Sequence, residues 1–252
     1  MLRTVLLTVC LAAILAWQGV PEGPSITVSA AVSLTDALSE VAKEYTAGGR
    51  RGLRFNFAAS NVLARQIVEG APVDVFISAD EAQMNVVAAA GLVQEGSRFD
   101  LLGNQLAVVV PSDRPRTFSG IGQLAEPAFR RIAIGDPAAV PAGVYAKQYL
   151  EKEGLWTTVQ ARIVPTASVR AALASVESGA ADAAIVYRTD ARIALRATVA
   201  FVVPLDRGPR IVYPAAIVRG SKNADAAARF LDFLRGAAAG RTFARFGFTT
   251  IK

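Results

Sequence analysis

The chain has no histidine, and its 252 residues include one cysteine, Cys10. The first absence removes Ser-His-Asp and Cys-His catalysis and every histidine-ligated metal site. The second removes disulfides and thiolate metal centres. Charge of either sign is modest: 27 Lys and Arg face 21 Asp and Glu, a formal net charge of +6. The basic residues are mostly scattered arginines such as Arg162, Arg192, Arg196 and Arg210. No basic stripe is interleaved with aromatics, so nucleic acid is not an expected partner.

What the chain does hold is apolar mass. Apolar residues make up 52% of it, enough to bury a substantial core in one large domain or two small ones. Near the N-terminus, Arg3 precedes VLLTVCLAAILAW, a run too short to span a bilayer comfortably. Residues 1–22 therefore read as a secretory signal, which places the mature chain in the periplasm or otherwise outside the cytoplasm. No clean A-x-A precedes Pro21, so an uncleaved N-terminal anchor stays as an alternative. Cys10 does not read as a lipidated residue. Val9 stands where a small residue is needed, and the apolar run continues past the cysteine.

Strand and helix patterns then alternate. Ile26–Ala30 leads to a helix with Leu34, Leu38, Val41 and Tyr45 on one face, where Ser33 and Asp36 match a capping box. Leu53–Phe57 leads to a helix from Ser60 to near Gly70, and Val73–Ala79 leads to Asp80 as an N-cap. Ile132–Ile134 precedes a helix at Pro141, and Ile163–Val164 precedes one from Ser168 to Gly179; Ala184–Tyr187 is a further strand. Asn223–Phe246 reads as two helices split near Gly236. Such alternation predicts an α/β chain with parallel sheets and helices on both faces. Length and repetition predict two doubly wound lobes: residues 24–112 plus 208–252, and residues 113–207. Leu106–Pro111 is expected to pair with Ala215–Val218, the two crossover strands forming a hinge.

Four of the strand-to-helix turns have small, neutral lips: ITVSAAVSLTDAL, LRFNFAASNVLARQI, RIAIGDPAAVPAGVYAKQYL and ARIVPTASVRAAL. Helix N-termini present unpaired N–H groups and the positive end of the macrodipole. Four such ends suggest a site that holds an anion by hydrogen bonds alone. Taken singly, each has a plainer reading: Ser33 and Ser60 as N-caps, Ala142 and Val169 as ordinary first-turn residues, Tyr187 as a core aromatic with its hydroxyl on backbone. Asp74, Asp80 and Glu81 cluster near a strand end and allow a competing enzymatic reading as acid–base or Mg²⁺ groups, with a cap and solvated loop charges as the plainer one.

The set as a whole resembles the periplasmic molybdate-binding proteins that feed ABC transporters. The resembling stretches are ITVSAAVSLTDAL, FAASNVLARQI, GAPVDVFISAD, LLGNQLAVVVP, GDPAAVPAGVYAK, SVRAALASVESG, IVYRTDA, YPAAIV and RFGFT, which follow the family order across nearly all the chain after the signal. The resemblance implies a type II periplasmic-binding-protein fold and a solute-binding role rather than an enzymatic one. It also implies oxyanion contacts at Ser33 and Ser60 through hydroxyl and amide, at the amides of Ala142 and Val169, and at the Tyr187 hydroxyl. The ligand would be molybdate or tungstate, held without direct metal ligation and without a cofactor. Membrane subunits of an ABC transporter would be the partners of a monomeric chain. The turn at Ala58-Ala59-Ser60-Asn61 has one hydroxyl where the family is serine-rich, and Ala31-Val32-Ser33 replaces the more usual Ala-Ala-Ser. Tetrahedral molybdate only accepts hydrogen bonds, and every implied contact donates. Hydrogen phosphate would leave its own proton unpaired. Sulfate or another oxyanion remains the alternative ligand, since sulfate differs from molybdate only in being smaller.

Overall fold

The computed structural model describes residues 25–47, 50 and 52–251. The signal assigned to residues 1–22, with Cys10, lies outside the described residues. The first strands and helices are β1 (Ile26–Ala31), α1 (Thr35–Ala47), β2 (Leu53–Ala58), α2 (Ser60–Val68), β3 (Val75–Ile77) and α3 (Glu81–Ala89). Next come β4 (Phe99–Asn104), β5 (Leu106–Pro111), β6 (Ile132–Gly135), α4 (Pro141–Lys152), α5 (Trp156–Val159), β7 (Ile163–Thr166) and α6 (Val169–Glu177). The chain continues through β8 (Ala183–Tyr187), α7 (Arg188–Arg192), β9 (Ala197–Val202) and β10 (Ile211–Ile217). It closes with α8 (Ala224–Arg235), α9 (Ala237–Arg245) and β11 (Thr249–Thr250).

The apolar period in α1 seats Leu38, Val41 and Tyr45 in the core, with Leu34 just ahead of the helix. Glycines at positive φ follow α2 and α6, Gly70 at 93° and Gly179 at 75°, where a side chain would be strained. Asp80 caps α3 by accepting the Gln83 amide, and Gly236 separates α8 from α9. Among the described residues no helix is long and apolar enough to cross a membrane.

The strands form two sheets, ordered β11-β4-β10-β3-β1-β2 and β7-β6-β8-β5-β9. Both are mixed rather than parallel. β1 runs parallel to β2 and β3, while β10 runs antiparallel to β3 and β4. In the second sheet β6 runs parallel to β7 and β8, while β5 is antiparallel to β8 and β9.

This corrects the expected pairing of Leu106–Pro111 with Ala215–Val218. The first segment is a fully buried central strand of the second sheet, and Ala215–Ile217 lies between β3 and β4 in the first. Both are apolar on both faces, so alternation gave no clue to their partners. The chain changes sheet at Gln105, between β4 and β5, and returns between Val202 and Ile211. Residues 106–112, read as first-lobe, therefore extend the second sheet and its following turn. β4 and β9 were not expected from the pattern, although TVAFVV in β9 carries the β-branched and aromatic residues that strands favour.

Candidate functional site

In both sheets the parallel strands end on the same side of their layer, and the turns after β1, β2, β6, β7 and β8 converge there. One cavity is lined by Ser33, Ser60, Ala142, Val169 and Tyr187 together with small apolar neighbours such as Ala31 and Ala59. Residues from both sheets' strand ends thus share one enclosure. It is small: the centre of a water-sized sphere can sweep only about 10 Å³ within it, far below the roughly 300–1,000 Å³ of pockets for drug-sized molecules. No lining residue carries a charge.

The backbone supplies donors. Ser60 opens α2, Ala142 is the second residue of α4 behind Pro141, and Val169 opens α6. Amides in a first helical turn have no intrahelical acceptor. None of these three helices has an acidic residue in its first turn, whereas α3 has Asp80 at its cap and Glu81 behind it. The neutral starts leave the positive helix ends uncompensated. Ser33 differs from expectation. It lies in a 3₁₀ turn, Val32–Leu34, ahead of α1, so the fourth end is a short turn and the three helices contribute about +1.5 in nominal charge rather than +2.

The serine side chains are not caps, which corrects the capping-box expectation for Ser33 and Asp36. The Ser33 Oγ lies 3.0 Å from the Tyr213 hydroxyl, and the Ser60 Oγ accepts the Ala79 amide at 2.9 Å. Asp36 instead accepts from Arg170 of α6 at 2.6 Å. Ser168 does cap α6, accepting the Ala171 amide at 3.2 Å.

Tyr187 ends β8 and is 1% exposed, yet among the described residues its hydroxyl has no hydrogen-bond partner. The expected backbone partner is absent. Burial first, and then the neighbouring Tyr213, push its pKa well above the ordinary phenol value, so it remains a neutral O–H donor. An unpaired buried hydroxyl costs free energy unless something in the cavity accepts from it.

The carboxylates of the competing enzymatic reading are occupied elsewhere. Asp74 accepts the Thr27 amide at 2.7 Å, the Ser221 hydroxyl at 2.6 Å and the Asn223 carboxamide, tying the approach to α8 to the first sheet. Asp80 accepts from Gln83 and Ser78; burial raises its pKa against these two bonds. Glu81 pairs with Arg210 at 3.2 Å. None of the three lines the cavity.

Sequence reading missed two groups beside the cavity. Arg170 joins Asp36 to Asp190, the latter fully buried. Asn104 donates to both Tyr213 and Thr189. Their partners stand 85 to 134 residues away along the chain in the Asn104–Thr189, Asn104–Tyr213 and Arg170–Asp36 contacts, so no local spacing marks them.

A model of the bacterial extracellular solute-binding proteins matches residues 26–249. The chain is 40% identical over 228 residues to the molybdate-binding protein ModA of Escherichia coli K12, covering 89% of this chain and 88% of that protein. The solved periplasmic molybdate-binding protein of Azotobacter vinelandii aligns with a TM-score of 0.80 at 27% identity, over 90% of this chain and 100% of that one. The sulfate-binding protein SubI of Mycobacterium tuberculosis H37Rv aligns with a TM-score of 0.79 over 90% of this chain and 87% of that one. At 21% identity it shares the fold alone. The two-lobed type II periplasmic-binding-protein architecture implied by the sequence is the one observed.

Proposed function

Because the chain belongs to the bacterial extracellular solute-binding proteins, we propose that it captures molybdate between its two lobes and delivers it to the membrane subunits of an ABC transporter. The observation that carries this reading is the buried, partnerless Tyr187 hydroxyl, set in a cavity of neutral donors without a carboxylate. A fully deprotonated oxyanion accepts from every one of these groups. The proposed contacts are the hydroxyls of Ser33, Ser60 and Tyr187 and the amides of Ser33, Ser60, Ala142 and Val169. The molybdenum itself touches no protein atom in this scheme, and no cofactor is needed.

The contacts come from both sheets, so a bound ion favours the closed arrangement in which all its hydrogen bonds are made. The hinge in this proposal runs through Gln105 and residues 203–210, where the chain passes between sheets, rather than through β5 and β10. The chain acts as a monomer outside the cytoplasm. Tungstate, with the same charge and nearly the same size, binds as well.

Calorimetric titration with molybdate, tungstate, sulfate and phosphate tests the reading. Molybdate and tungstate should bind more tightly than the other two by a factor above about ten, a gap of roughly 1.4 kcal/mol. Sulfate binding on a par with molybdate would favour the sulfate alternative and falsify the assignment.

Tyr187→Phe removes one hydroxyl and leaves the ring in place. Because that hydroxyl has no partner among the described residues, the variant should lose no folding stability. Molybdate affinity should fall by about 1.5–3 kcal/mol, the worth of a hydrogen bond to a charged group. A melting curve and a titration on the same sample check both halves. Unchanged affinity would remove Tyr187 from the site.

A further inference from the structure

Which way the hydrogens point around Ser33 follows from a chain of three side chains. The Gln105 amide donates to Asn104 Oδ1 at 2.9 Å. A backbone amide has only a hydrogen to offer, so this bond fixes which end of the Asn104 carboxamide is oxygen. Asn104 Nδ2 then faces Thr189 Oγ1 at 2.9 Å and the Tyr213 hydroxyl at 3.1 Å. Nδ2 has two hydrogens and no lone pair to share, so the Tyr213 oxygen is an acceptor in this contact.

Tyr213 is 0% exposed, and its own hydrogen needs an acceptor inside the protein. Ser33 Oγ, 3.0 Å away, is that acceptor. The reverse polarity, Ser33 donating to Tyr213, would leave the buried phenol hydrogen with nothing to bond. Ser33 therefore receives a hydrogen from Tyr213 and directs its own into the cavity it lines. Ser60 stands in the same situation, since the Ala79 amide donates to its Oγ and leaves its hydrogen for the cavity. At both serines a donor behind the hydroxyl decides what the hydroxyl shows to a ligand.

We propose that Tyr213, oriented by Asn104, is a positioning residue that holds Ser33 as a hydrogen-bond donor and so makes the site discriminate against oxyanions that carry a proton. This inference rests on the oxyanion reading of the cavity. A ligand with a P–OH group needs one acceptor in the wall. The Asn104–Tyr213–Ser33 chain denies it one at Ser33. Tyr213 and Asn104 are not themselves among the cavity-lining residues, so they act through the serine.

The test is a pair of titrations at about pH 8, where phosphate is mainly the hydrogen phosphate dianion. Molybdate is titrated directly, and phosphate, which keeps a proton there, is measured by competition against molybdate. Tyr213→Phe frees the Ser33 hydroxyl to turn. Molybdate should weaken by about tenfold, and the ratio of phosphate to molybdate dissociation constants should fall by at least about as much. Asn104→Asp provides a second variant of nearly the same shape. Its carboxylate still accepts the Gln105 amide but now presents an acceptor to Tyr213, which turns its hydrogen away from Ser33. Ser33 then donates to Tyr213 and offers the cavity a lone pair. The added negative charge repels both dianions alike and cancels in the ratio, so a fall in the ratio is again expected. A purely structural role for the two residues predicts equal weakening of both anions. An unchanged ratio in the folded variants, including no competition by phosphate in any of them, overturns the proposal. Failure of the unmodified protein to bind molybdate would instead overturn the oxyanion reading on which it stands.

Discussion

Gly143→Ala should cost both stability and affinity. A Cβ on Gly143 would lie 1.9 Å from the Gly135 carbonyl oxygen, 2.4 Å from its carbon and 2.8 Å from the Asp136 carbonyl oxygen. These are backbone atoms at the end of β6 and cannot swing aside as a side chain would. Gly135 faces the same contact from the other side, since a Cβ there would meet the Gly143 nitrogen at 3.2 Å and Val140 Cγ1 at 2.6 Å. The two glycines let α4 start directly against the strand end, which sets the Ala142 amide in the cavity wall. To accommodate a methyl group the helix must back away. Overpacking of this kind costs about 1–3 kcal/mol, or about 2–12 °C in melting temperature for a chain of this size. The displaced Ala142 amide should cost molybdate affinity a further factor of about ten or more, the worth of a hydrogen bond to a charged group. A thermal melt and a titration measure the two losses. A variant matching the unmodified protein in both would show that α4 does not need this close approach.

Arg170→Met should produce the larger loss of stability. Asp190 has no exposed side-chain surface and depends on Arg170 for its charge partner. Burial pushes the Asp190 carboxyl up to about 6, against the pull of Arg170, so at neutral pH both groups are charged and paired. Removing one partner of a buried pair costs about 3–5 kcal/mol, because the remaining charge stays buried without compensation. The pH dependence has a definite sign. Asp190 has a folded pKa above the unfolded value of about 3.9, so its protonated form stabilises the fold at acid pH. That contribution is complete below about pH 4 and is lost as pH rises through the folded value, which is about 6 in the unmodified protein. Without Arg170 the folded pKa rises further, and the deficit of the variant should shrink between pH 7 and pH 5 as Asp190 takes up a proton. Denaturant unfolding at the two pH values tests this. A deficit that is the same at both would place the loss in packing rather than in the charge. Arg170 also reaches Asp36 across the cleft, but Asp36 is 43% exposed and solvent screens that arm to about 0–1 kcal/mol. Asp36→Asn should therefore spare stability and act on closure, read as a smaller ligand-induced decrease in the radius of gyration by small-angle scattering.

These predictions separate what could be read along the chain from what could not. The buried face of α1, the neutral first turns of α2, α4 and α6, the Asp80 and Ser168 caps, and the glycine stops at Gly70 and Gly179 are all local. Each depends on residues within about one or two helical turns, where periodicity and capping chemistry act. The same local signals brought Ser60, Ala142, Val169 and Tyr187 forward as residues at strand-to-helix junctions. Family likeness then joined them with Ser33 into one candidate site. Ser33 and Ser60 looked like caps because a serine before a helical pattern usually is one. Their true partners, Tyr213 and the Ala79 amide, lie 180 and 19 residues away in sequence. Pairing was the other illegible part. β5 and β10 are apolar on both faces, so no alternation points either strand to a neighbour, and both were assigned to each other when they belong to different sheets. Sequence alone determined where α2, α4 and α6 begin and that those three starts are neutral, because these depend on side chains a few residues apart. Only the tertiary structure decided which strands meet, where the chain changes sheets, and which donor stands behind each serine. Those depend on contacts between residues far apart in the chain, and they exist only once both sheets are assembled.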